Sequence, residues 1–268
     1  MIIISEKINA TIKSVGKAIE KRNARFLQNL AKLQQESGAQ YIDVNVSSAK
    51  GRDFDKQSME WAVEVIQEVV DVPLAIDTPD PRVLEAGLRM KKHKESMINS
   101  INAEQERLEA VLPVAKEFDS NIIALAMGKG GISSSIAGRL KACEKIAEGA
   151  QRCGIALEKL YFDPLVLSIA TDTSQGIVTL ETLNEIKSKF PEAKTTLGLS
   201  NISFGLPKRS LINRSFLVIA IYLGLDSAIL DPLDRKLMSI IKAGELVLGK
   251  DNYCKNYLKA YRESLLES

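Results

Sequence analysis

The chain has 268 residues, of which 45% are hydrophobic and 26% are charged, and this is enough to bury the core of a domain of about 250 residues. Its 36 basic and 34 acidic residues are interspersed and only 5% of residues are aromatic, which argues against nucleic acid as a partner. The opening apolar run, 1–4, is followed at once by charge and is too short for a signal peptide or a membrane span. We therefore expect one cytoplasmic domain over residues 1–268, without membrane contact.

The chain has few cysteines and histidines, which limits the kinds of metal site that it could form. Cys143, Cys153 and Cys254 are scattered and form no C-x-x-C pair, which argues against a disulfide framework and against a thiolate zinc site. The single histidine, His93, lies in a lysine-rich segment, and we interpret it as a solvated loop residue. The chain is therefore predicted to bind no metal of its own.

Eight short apolar or β-branched runs, suited to buried strands, alternate with segments of helical periodicity. The predicted strands lie near 2–4, 41–46, 73–77, 96–100, 121–127, 160–163, 195–199 and 227–230. The predicted helices lie at 25–36, 58–68, 81–90, 104–118, 139–153, 180–190, 213–223 and 235–248, with a further helix at 253–265. Helix ends are indicated by Gly38, Gly154 and Gly224, and helix starts by Asp55 and by Asp80 before Pro81.

This alternation predicts a parallel sheet, and eight repeats favour an α/β fold of the (β/α)8 TIM-barrel type with an extra C-terminal helix. An open, doubly wound sheet is the alternative. Its dinucleotide-binding form carries G-x-G-x-x-G after the first strand, which is absent here, and the Gly-Lys-Gly-Gly run at 128–131 fits neither that pattern nor a P-loop.

Polar side chains follow most of the predicted strands. In a barrel the carboxyl ends of all strands open to one face, so these side chains are expected to converge on one mouth. They are Glu6, Asn9, Asp43, Asn45, Asp77, Asn99, Asn102, Asp163, Ser200, Asn201 and Asp231. Carboxylates and carboxamides suit a neutral heterocycle with a donor-rich edge, such as a 2-amino-4-oxopterin ring.

Alternatively, each of these residues could serve only to cap the helix that follows it. A ligand-binding role is favoured for Asp77, Asn99, Asp163 and Asn201, since their positions do not match simple caps. For Asp43 and Asp231 both interpretations stay open.

Six segments occur in a distinctive order: SEKIN at 5–9, IDVNV at 42–46, AIDT at 75–78, MINSINAE at 97–104, YFDPL at 161–165 and GLSNIS at 198–203. Together they resemble the pterin-binding methyltransferases that act between methyltetrahydrofolate and a corrinoid protein, over residues 1–254. The resemblance is to the stand-alone enzymes of acetogens and of methylamine- or betaine-degrading systems, and more distantly to the folate domain of cobalamin-dependent methionine synthase.

The resemblance implies a role for several residues. Asp77, Asn99 and Asp163 would bind the pterin edge, and Asn201 would be the catalytic residue that hydrogen-bonds N5, the nitrogen that carries the methyl group. Further members of the same pocket would be Asp43, Ser200 and Arg209, with Glu6, Asn9, Asn45, Asn102 and Lys129 as additional candidates.

The implied reaction moves a methyl group between N5 of tetrahydrofolate and the cobalt of a separate corrinoid protein, in a direction that the residues leave open. The partner would supply the corrinoid, because the D-x-H-x-x-G motif of corrinoid-binding modules is absent. The chain likewise lacks the thiolate cluster of a homocysteine-activating zinc domain. A homodimer is implied as well.

Two other functions stay open. A dihydropteroate synthase-like enzyme shares the barrel and the pterin ligands, and Lys208 and Arg209 would then meet a pyrophosphate leaving group, but the segment at 6–9 lacks the Thr-Pro-Asp-Ser continuation of those enzymes. A non-catalytic folate-binding subunit is the second alternative. A Schiff-base aldolase is disfavoured because the predicted strands contain no lysine.

Overall fold

The computed structural model describes residues 1–48 and 51–267, so residues 49, 50 and 268 of the predicted domain lie outside it. The strands are β1 (Ile2–Asn9), β2 (Tyr41–Asn45), β3 (Leu74–Asp77), β4 (Met97–Ile101), β5 (Asn121–Leu125), β6 (Met127–Gly128), β7 (Gly131–Ile132), β8 (Leu160–Asp163), β9 (Lys194–Thr195) and β10 (Ser227–Leu230). The helices are α1 (Lys13–Glu20), α2 (Ala24–Glu36), α3 (Arg52–Ile66), α4 (Pro81–Arg89), α5 (Gln105–Glu117), α6 (Ile136–Arg152), α7 (Gln175–Lys189), α8 (Arg209–Tyr222), α9 (Arg235–Val247) and α10 (Lys255–Arg262). Short 3-10 turns lie at Leu157–Lys159, Leu199–Ser203 and Asn252–Cys254.

Eight strands form one parallel sheet in the order β10-β1-β2-β3-β4-β5-β8-β9. A parallel bridge between Gly198, three residues after β9, and Ile229 of β10 closes this sheet at a seam, where the Ile229 amide donates to the Leu197 carbonyl at 2.8 Å. The predicted (β/α)8 barrel with an extra C-terminal helix is confirmed. The antiparallel hairpin of β6 and β7, which follows β5, is an addition that the sequence pattern did not predict.

The inside of the barrel changes from apolar to polar along the strands. Its apolar floor consists of Ile4, Tyr41, Ala75, Met97, Ile123 and Tyr161. Because strand side chains alternate between faces, the residues two positions further along also point into the barrel, nearer to the carboxyl ends. These residues are Glu6, Asp43, Asp77, Asn99, Leu125 and Asp163. Five of the six are polar, so the pleat of the sheet itself builds a polar mouth above an apolar floor.

The predicted helix signals are confirmed at most positions. Gly38, Gly154 and Gly224 follow α2, α6 and α8 with φ values of +101°, +68° and +96°, the left-handed conformation that ends a helix at low cost for glycine. The Asp80 carboxylate caps α4 by accepting from the Arg82 amide at 2.9 Å. Asp55 lies in the first turn of α3 rather than before it, and accepts from the Ser48 amide and hydroxyl.

Several predicted boundaries were wrong. Helix α1 was missed because only a narrow face, Val15, Ala18 and Ile19, is buried. Helix α3 begins six residues before the predicted position 58, since its first turn is polar and acidic. Strand β9 is confined to two residues, because Leu199 already belongs to a 3-10 turn. Among the described residues, no helix is both long and apolar enough to cross a membrane.

Candidate functional site

A row of polar side chains crosses the carboxyl ends of four neighbouring strands. The register pairs Asn9 of β1 with Asn45 of β2, Asn45 with Asp77 of β3, and Asp77 with Asn99 of β4. A register shift in β1 between Ser5 and Ile8 allows both Glu6 and Asn9 to face this end of the barrel. The sequence-predicted residues of the first four strands are therefore brought together.

Two hydrogen bonds fix Asp77 of this row and Asp43, which lies two residues before Asn45 on β2. Asn45 Nδ2 donates to Asp77 Oδ2 at 2.7 Å, and Asn99 Nδ2 donates to Asp43 Oδ1 at 3.0 Å. Asn45 Oδ1 also accepts from the Ser47 amide, so both ends of that carboxamide are occupied. Each carboxylate thus has one oxygen bound by a carboxamide and keeps capacity to accept from a ligand.

Burial dominates the electrostatics of these acids. Burial raises the pKa of Asp43 well above its ordinary value, and the nearby charge of Asp77 raises it further. The pKa of Asp77 is raised by burial and lowered in part by the hydrogen bond from Asn45 and by Arg107. Burial also raises the pKa of Asp163 to about 7, against the hydrogen bond from the Leu165 amide and the charge of Arg139. A ligand that brings N–H donors would relieve the desolvation of all three carboxylates.

A cavity of about 290 Å³ opens beside this row. Its lining includes Asp77, Asn99, Asn102, Arg107, Leu125 and Met127. The lining combines a carboxylate and carboxamides with the apolar side chains of Leu125 and Met127, a combination that suits a flat heterocycle with a polar edge.

Arg107 holds the loop after β3 and the end of β4. From α5, its guanidinium donates to the carbonyl oxygens of Thr78 (3.1 Å), Pro79 (2.6 Å) and Ser100 (2.5 Å). These bonds fix the backbone that follows Asp77 and Asn99. Sequence reasoning missed Arg107, because a lone arginine on a polar helix usually indicates a solvated face.

Arg139 holds the loop after β8 by donating to its backbone carbonyl oxygens. It is fully buried, and its Nη1 donates to the carbonyl oxygens of Pro164 at 2.8 Å and Leu165 at 2.9 Å, while its Nη2 donates to Gln175 Oε1 at 3.0 Å. Asp163 lies directly before this anchored segment. Arg139 was also missed, although it begins the predicted helix at 139–153.

Ser200 and Asn201 lie in the 3-10 turn Leu199–Ser203, next to the barrel seam. The Ser200 hydroxyl donates to Glu6 Oε1 at 3.1 Å. Arg209 donates to the Ser200 carbonyl at 2.5 Å and to the Ser203 hydroxyl at 3.1 Å. The Asn201 side chain is exposed, and among the described residues it makes no side-chain hydrogen bond, so it is available to a ligand.

Other predicted residues have local roles. Asn9 Oδ1 accepts from the Thr11 amide and Asn102 Oδ1 from the Glu104 amide, which closes a turn in each case. Asp231 accepts from the Leu233 amide and from Lys7 Nζ at 2.8 Å. Lys129 is exposed in the turn between β6 and β7.

The prediction that the strands contain no lysine was wrong. Lys7 lies in β1 and Lys194 in β9, because β1 extends beyond its apolar run and β9 begins before the predicted position. Lys7 is paired with Asp231, and Lys194 donates to the Tyr161 hydroxyl at 3.0 Å. His93 is exposed between α4 and β4, as predicted. Among the described residues, no group of three or more His, Cys, Asp or Glu side chains is arranged to hold a metal ion.

Comparison with known proteins agrees with this geometry. The family model of pterin binding enzymes matches residues 5–231. The chain is 34% identical over 265 residues to the methylcorrinoid:tetrahydrofolate methyltransferase of Eubacterium limosum, covering 98% of this chain and 97% of that protein. It is 29% identical over 242 residues to methionine synthase of Mycobacterium tuberculosis (strain ATCC 25618 / H37Rv), covering 85% of this chain but 20% of that protein.

Two solved structures are similar in fold. Dihydropteroate synthase of Clostridium difficile, studied in the presence of pteroic acid, has a TM-score of 0.70 at 20% identity and covers 92% of this chain and 96% of that chain. The Yersinia pestis enzyme with a pterine–sulfa conjugate has a TM-score of 0.67 at 16% identity, with 92% and 94% covered. The resemblance to methyltetrahydrofolate:corrinoid methyltransferases is confirmed by the near-full-length match, and this chain belongs to the family of pterin binding enzymes.

Proposed function

We propose that this chain transfers a methyl group between N5 of tetrahydrofolate and the cobalt of a separate corrinoid protein. The observation that carries the proposal is the polar mouth of Asn45, Asp77, Asn99 and Asp43, in a chain that matches a methylcorrinoid:tetrahydrofolate methyltransferase over nearly its full length. Methyltetrahydrofolate and tetrahydrofolate are the proposed small-molecule substrates, and the corrinoid belongs to the partner.

In this proposal the acids bind the pterin edge. Asp77 and Asp163 accept from the ring N–H and amino groups, and Asn99 accepts through the carboxamide oxygen that its bond to Asp43 leaves free. Asp163 is buried and Asp77 is half-buried, so a ligand group that cannot donate to them would leave these carboxyl groups desolvated and unpaired. Ser200 and Arg209 complete the wall on the side of the barrel seam.

Asn201 is the proposed catalytic residue. When a methyl group leaves N5, the nitrogen gains electron density and is a poor leaving group unless a proton or a hydrogen bond stabilises it. The Asn201 carboxamide donates through its NH₂ without itself being an acid. Because the same residues act in both directions of a reversible transfer, they do not select the physiological direction.

Dihydropteroate synthase activity is the competing enzymatic function. The likeness to those enzymes lies at 16–20% identity, which is a likeness of fold. A non-catalytic folate-binding subunit is the other alternative, and turnover separates it from an enzyme.

A methyl-transfer assay of the purified chain tests this proposal, after the cobalt content of the chain has been measured. We expect a colourless protein without cobalt. It should demethylate methyltetrahydrofolate when a corrinoid protein in the Co(I) state is added, and methylate tetrahydrofolate when the added corrinoid protein carries a methyl group on Co(III). Free cobalamin should react far more slowly, since no protein surface orients it. Stoichiometric cobalamin in the purified chain would overturn the partner model, and dihydropteroate formation from a pterin pyrophosphate and p-aminobenzoate would favour the synthase.

We further propose a cytoplasmic homodimer of single-domain subunits. Helices α7 and α8 expose the large apolar side chains Ile177, Leu211, Ile219 and Tyr222, which are between 47% and 71% exposed, and exposed apolar surface can mark a contact between proteins. A second copy would bury this face. Light scattering of the wild type and of Ile219→Glu tests this, and a monomeric wild type would contradict it.

A further inference from the structure

Glu6 and Ser200 connect two distant parts of the mouth. Glu6 lies on β1, and its Oε1 accepts a hydrogen bond from the hydroxyl of Ser200, 194 positions later in the chain, at 3.1 Å. Ser200 directly precedes Asn201, the exposed carboxamide of the mouth. This contact ties the turn that carries Asn201 to the first strand of the barrel.

The turn is also held from its C-terminal side and by the core. Leu199 and Ile202 are buried, the Ile202 carbonyl accepts from the Ile169 amide at 3.1 Å, and the Phe204 carbonyl accepts from the Ser168 hydroxyl at 2.6 Å. Within the turn the Asn201 amide donates to the Gly198 carbonyl at 3.4 Å, the Phe204 amide to the Asn201 carbonyl at 3.2 Å and the Leu206 amide to the Ser203 carbonyl at 3.0 Å. Arg209 clamps the turn from α8 through the Ser200 carbonyl. That clamp comes from the element that follows the turn, whereas Glu6 lies on β1, which pairs with β10 on the other side of the seam.

The surroundings of Glu6 favour this use of its carboxyl group. Asp231 and Asp43 are the acids near it, and Lys7 and Arg209 are the cations. Lys7 Nζ is engaged by Asp231 at 2.8 Å, and Arg209 by Ser200 and Ser203. Ser200 is the side-chain donor that the described structure gives to Glu6.

We propose that Glu6 is a positioning residue, which holds the Ser200–Asn201 turn over the mouth so that the Asn201 carboxamide faces the reacting nitrogen. The expected effect on catalysis rests on the proposed function. The contact between Glu6 and Ser200 is independent of that function. Glu6 does not touch the reacting atoms in this role; it acts through Ser200. A misplaced catalytic group costs up to about 100-fold in rate, so loss of the contact is expected to lower kcat by roughly 10-fold to 100-fold with KM for the folate little changed.

Amide hydrogen exchange tests, independently of activity, whether Glu6 holds the Ser200–Asn201 turn in place. The amides of Asn201, Phe204 and Leu206 are followed in Glu6→Ala, Ser200→Ala, Glu6→Gln and, as a matched control, Ser210→Ala, which changes an exposed serine of α8. We expect exchange roughly tenfold faster in the two alanine variants at positions 6 and 200, and no change in the control. Glu6→Gln keeps an acceptor oxygen and is expected to restore protection.

Single-turnover methyl transfer with the same variants gives the second readout. The combined Glu6→Ala and Ser200→Ala variant is expected to be no slower than either single variant, because both remove one contact. Unchanged exchange in both single variants, or a Glu6→Gln enzyme as slow as Glu6→Ala, would overturn the inference. Absence of turnover in the wild type would overturn the proposed function instead, while exchange would still decide whether Glu6 holds the turn.

Discussion

Asn99 reaches across an intervening strand to Asp43. The two residues lie on β4 and β2, and the 3.0 Å bond from Asn99 Nδ2 to Asp43 Oδ1 passes β3, where the small side chain of Ala75 lies next to both strands. Because Asn99 uses its Nδ2 in this bond, its Oδ1 is left to accept from a ligand in the cavity that Asn99 lines. The polarity that the mouth presents to a ligand is therefore fixed before the ligand arrives.

Removing a carboxylate of the mouth is expected to weaken binding of the folate. Asp77→Ala and Asp163→Ala should each cost about 1.5–3 kcal/mol of tetrahydrofolate binding free energy, the scale of a hydrogen bond to a charged group. Calorimetry on the folded variants measures this. Asp71→Ala, an exposed acid that precedes β3 at the other end of the barrel, is the control. Wild-type affinity in both mouth variants would remove these two residues from the pterin site.

Asn201→Ala is expected to fold normally, and its rate of methyl transfer should fall while its affinity for the folate stays close to that of the wild type. Its side chain is exposed and supports no other residue through a hydrogen bond in the described structure, whereas its proposed contact strengthens as charge changes on N5. Single-turnover methyl transfer at saturating folate should slow by about 10²–10³, as for the loss of an oxyanion-hole donor. A chemical step at the wild-type rate would mean that another group stabilises N5.

The raised pKa of Asp163 predicts a pH-dependent stability. Burial moves it from an ordinary 3.8 to about 7, so between these values the folded protein keeps a proton that the unfolded chain has lost. The contribution of this carboxyl group to stability is thus complete below about pH 4 and falls by about 1.4 kcal/mol per pH unit until about pH 7. In Asp163→Asn the side chain cannot ionise, so the decrease in the free energy of unfolding that Asp163 causes as the pH rises should be absent.

Urea unfolding of both proteins at several values between about pH 5 and about pH 8 measures the difference. The free energy of unfolding of the wild type, relative to Asp163→Asn, should decrease as the pH rises and then level off. Parallel curves would show that Asp163 is already ionised in the folded protein at the lowest pH.

Gly16 is expected to resist substitution although it lies in a helix. A Cβ at this position would meet the carbonyl oxygen of Ala10 at 2.6 Å, and that oxygen belongs to backbone beside Asn9. The clash should outweigh the usual gain of alanine in a helix, so Gly16→Ala should lower the free energy of unfolding by about 1–3 kcal/mol. Gly130→Ala, whose Cβ would meet no atom within 4 Å, is the control and should be nearly neutral. Equal stability of both variants would show that the loop after β1 moves freely.

The barrel and the strand-end acids were predictable because they depend on local patterns. Strand-helix alternation specifies a parallel sheet, and the two-residue repeat that buries Tyr41 and Tyr161 also directs Asp43 and Asp163 inward. The pattern did not separate Asn102, whose Oδ1 closes a turn, from Asn99, whose Nδ2 donates to Asp43, although both line the cavity. Both are carboxamides after the same apolar run, and only the fold distinguishes them.

The buried arginines could not be predicted in this way. Arg139 lies on a helix with many polar residues, and its complete burial arises because the carbonyl oxygens of Pro164 and Leu165 turn toward it in the folded chain. The partners lie 25 and 26 positions away, so no local periodicity records the contact. The early end of β9 has a similar origin, since the chain leaves the sheet to form the turn that Glu6 and Arg209 hold.

The pairing of β1 with β10 has a consequence for synthesis. Ile2 lies opposite Ser227, so at roughly 5–20 residues per second the ribosome needs about ten to forty-five seconds between making the two partners. During that interval one edge of β1, with three consecutive isoleucines, has no neighbour. An exposed apolar strand edge is a template for aggregation, so the nascent chain is most vulnerable just before β10 emerges. A ribosome stalled within α8 would hold the chain in that state, and chaperone capture is expected to peak there.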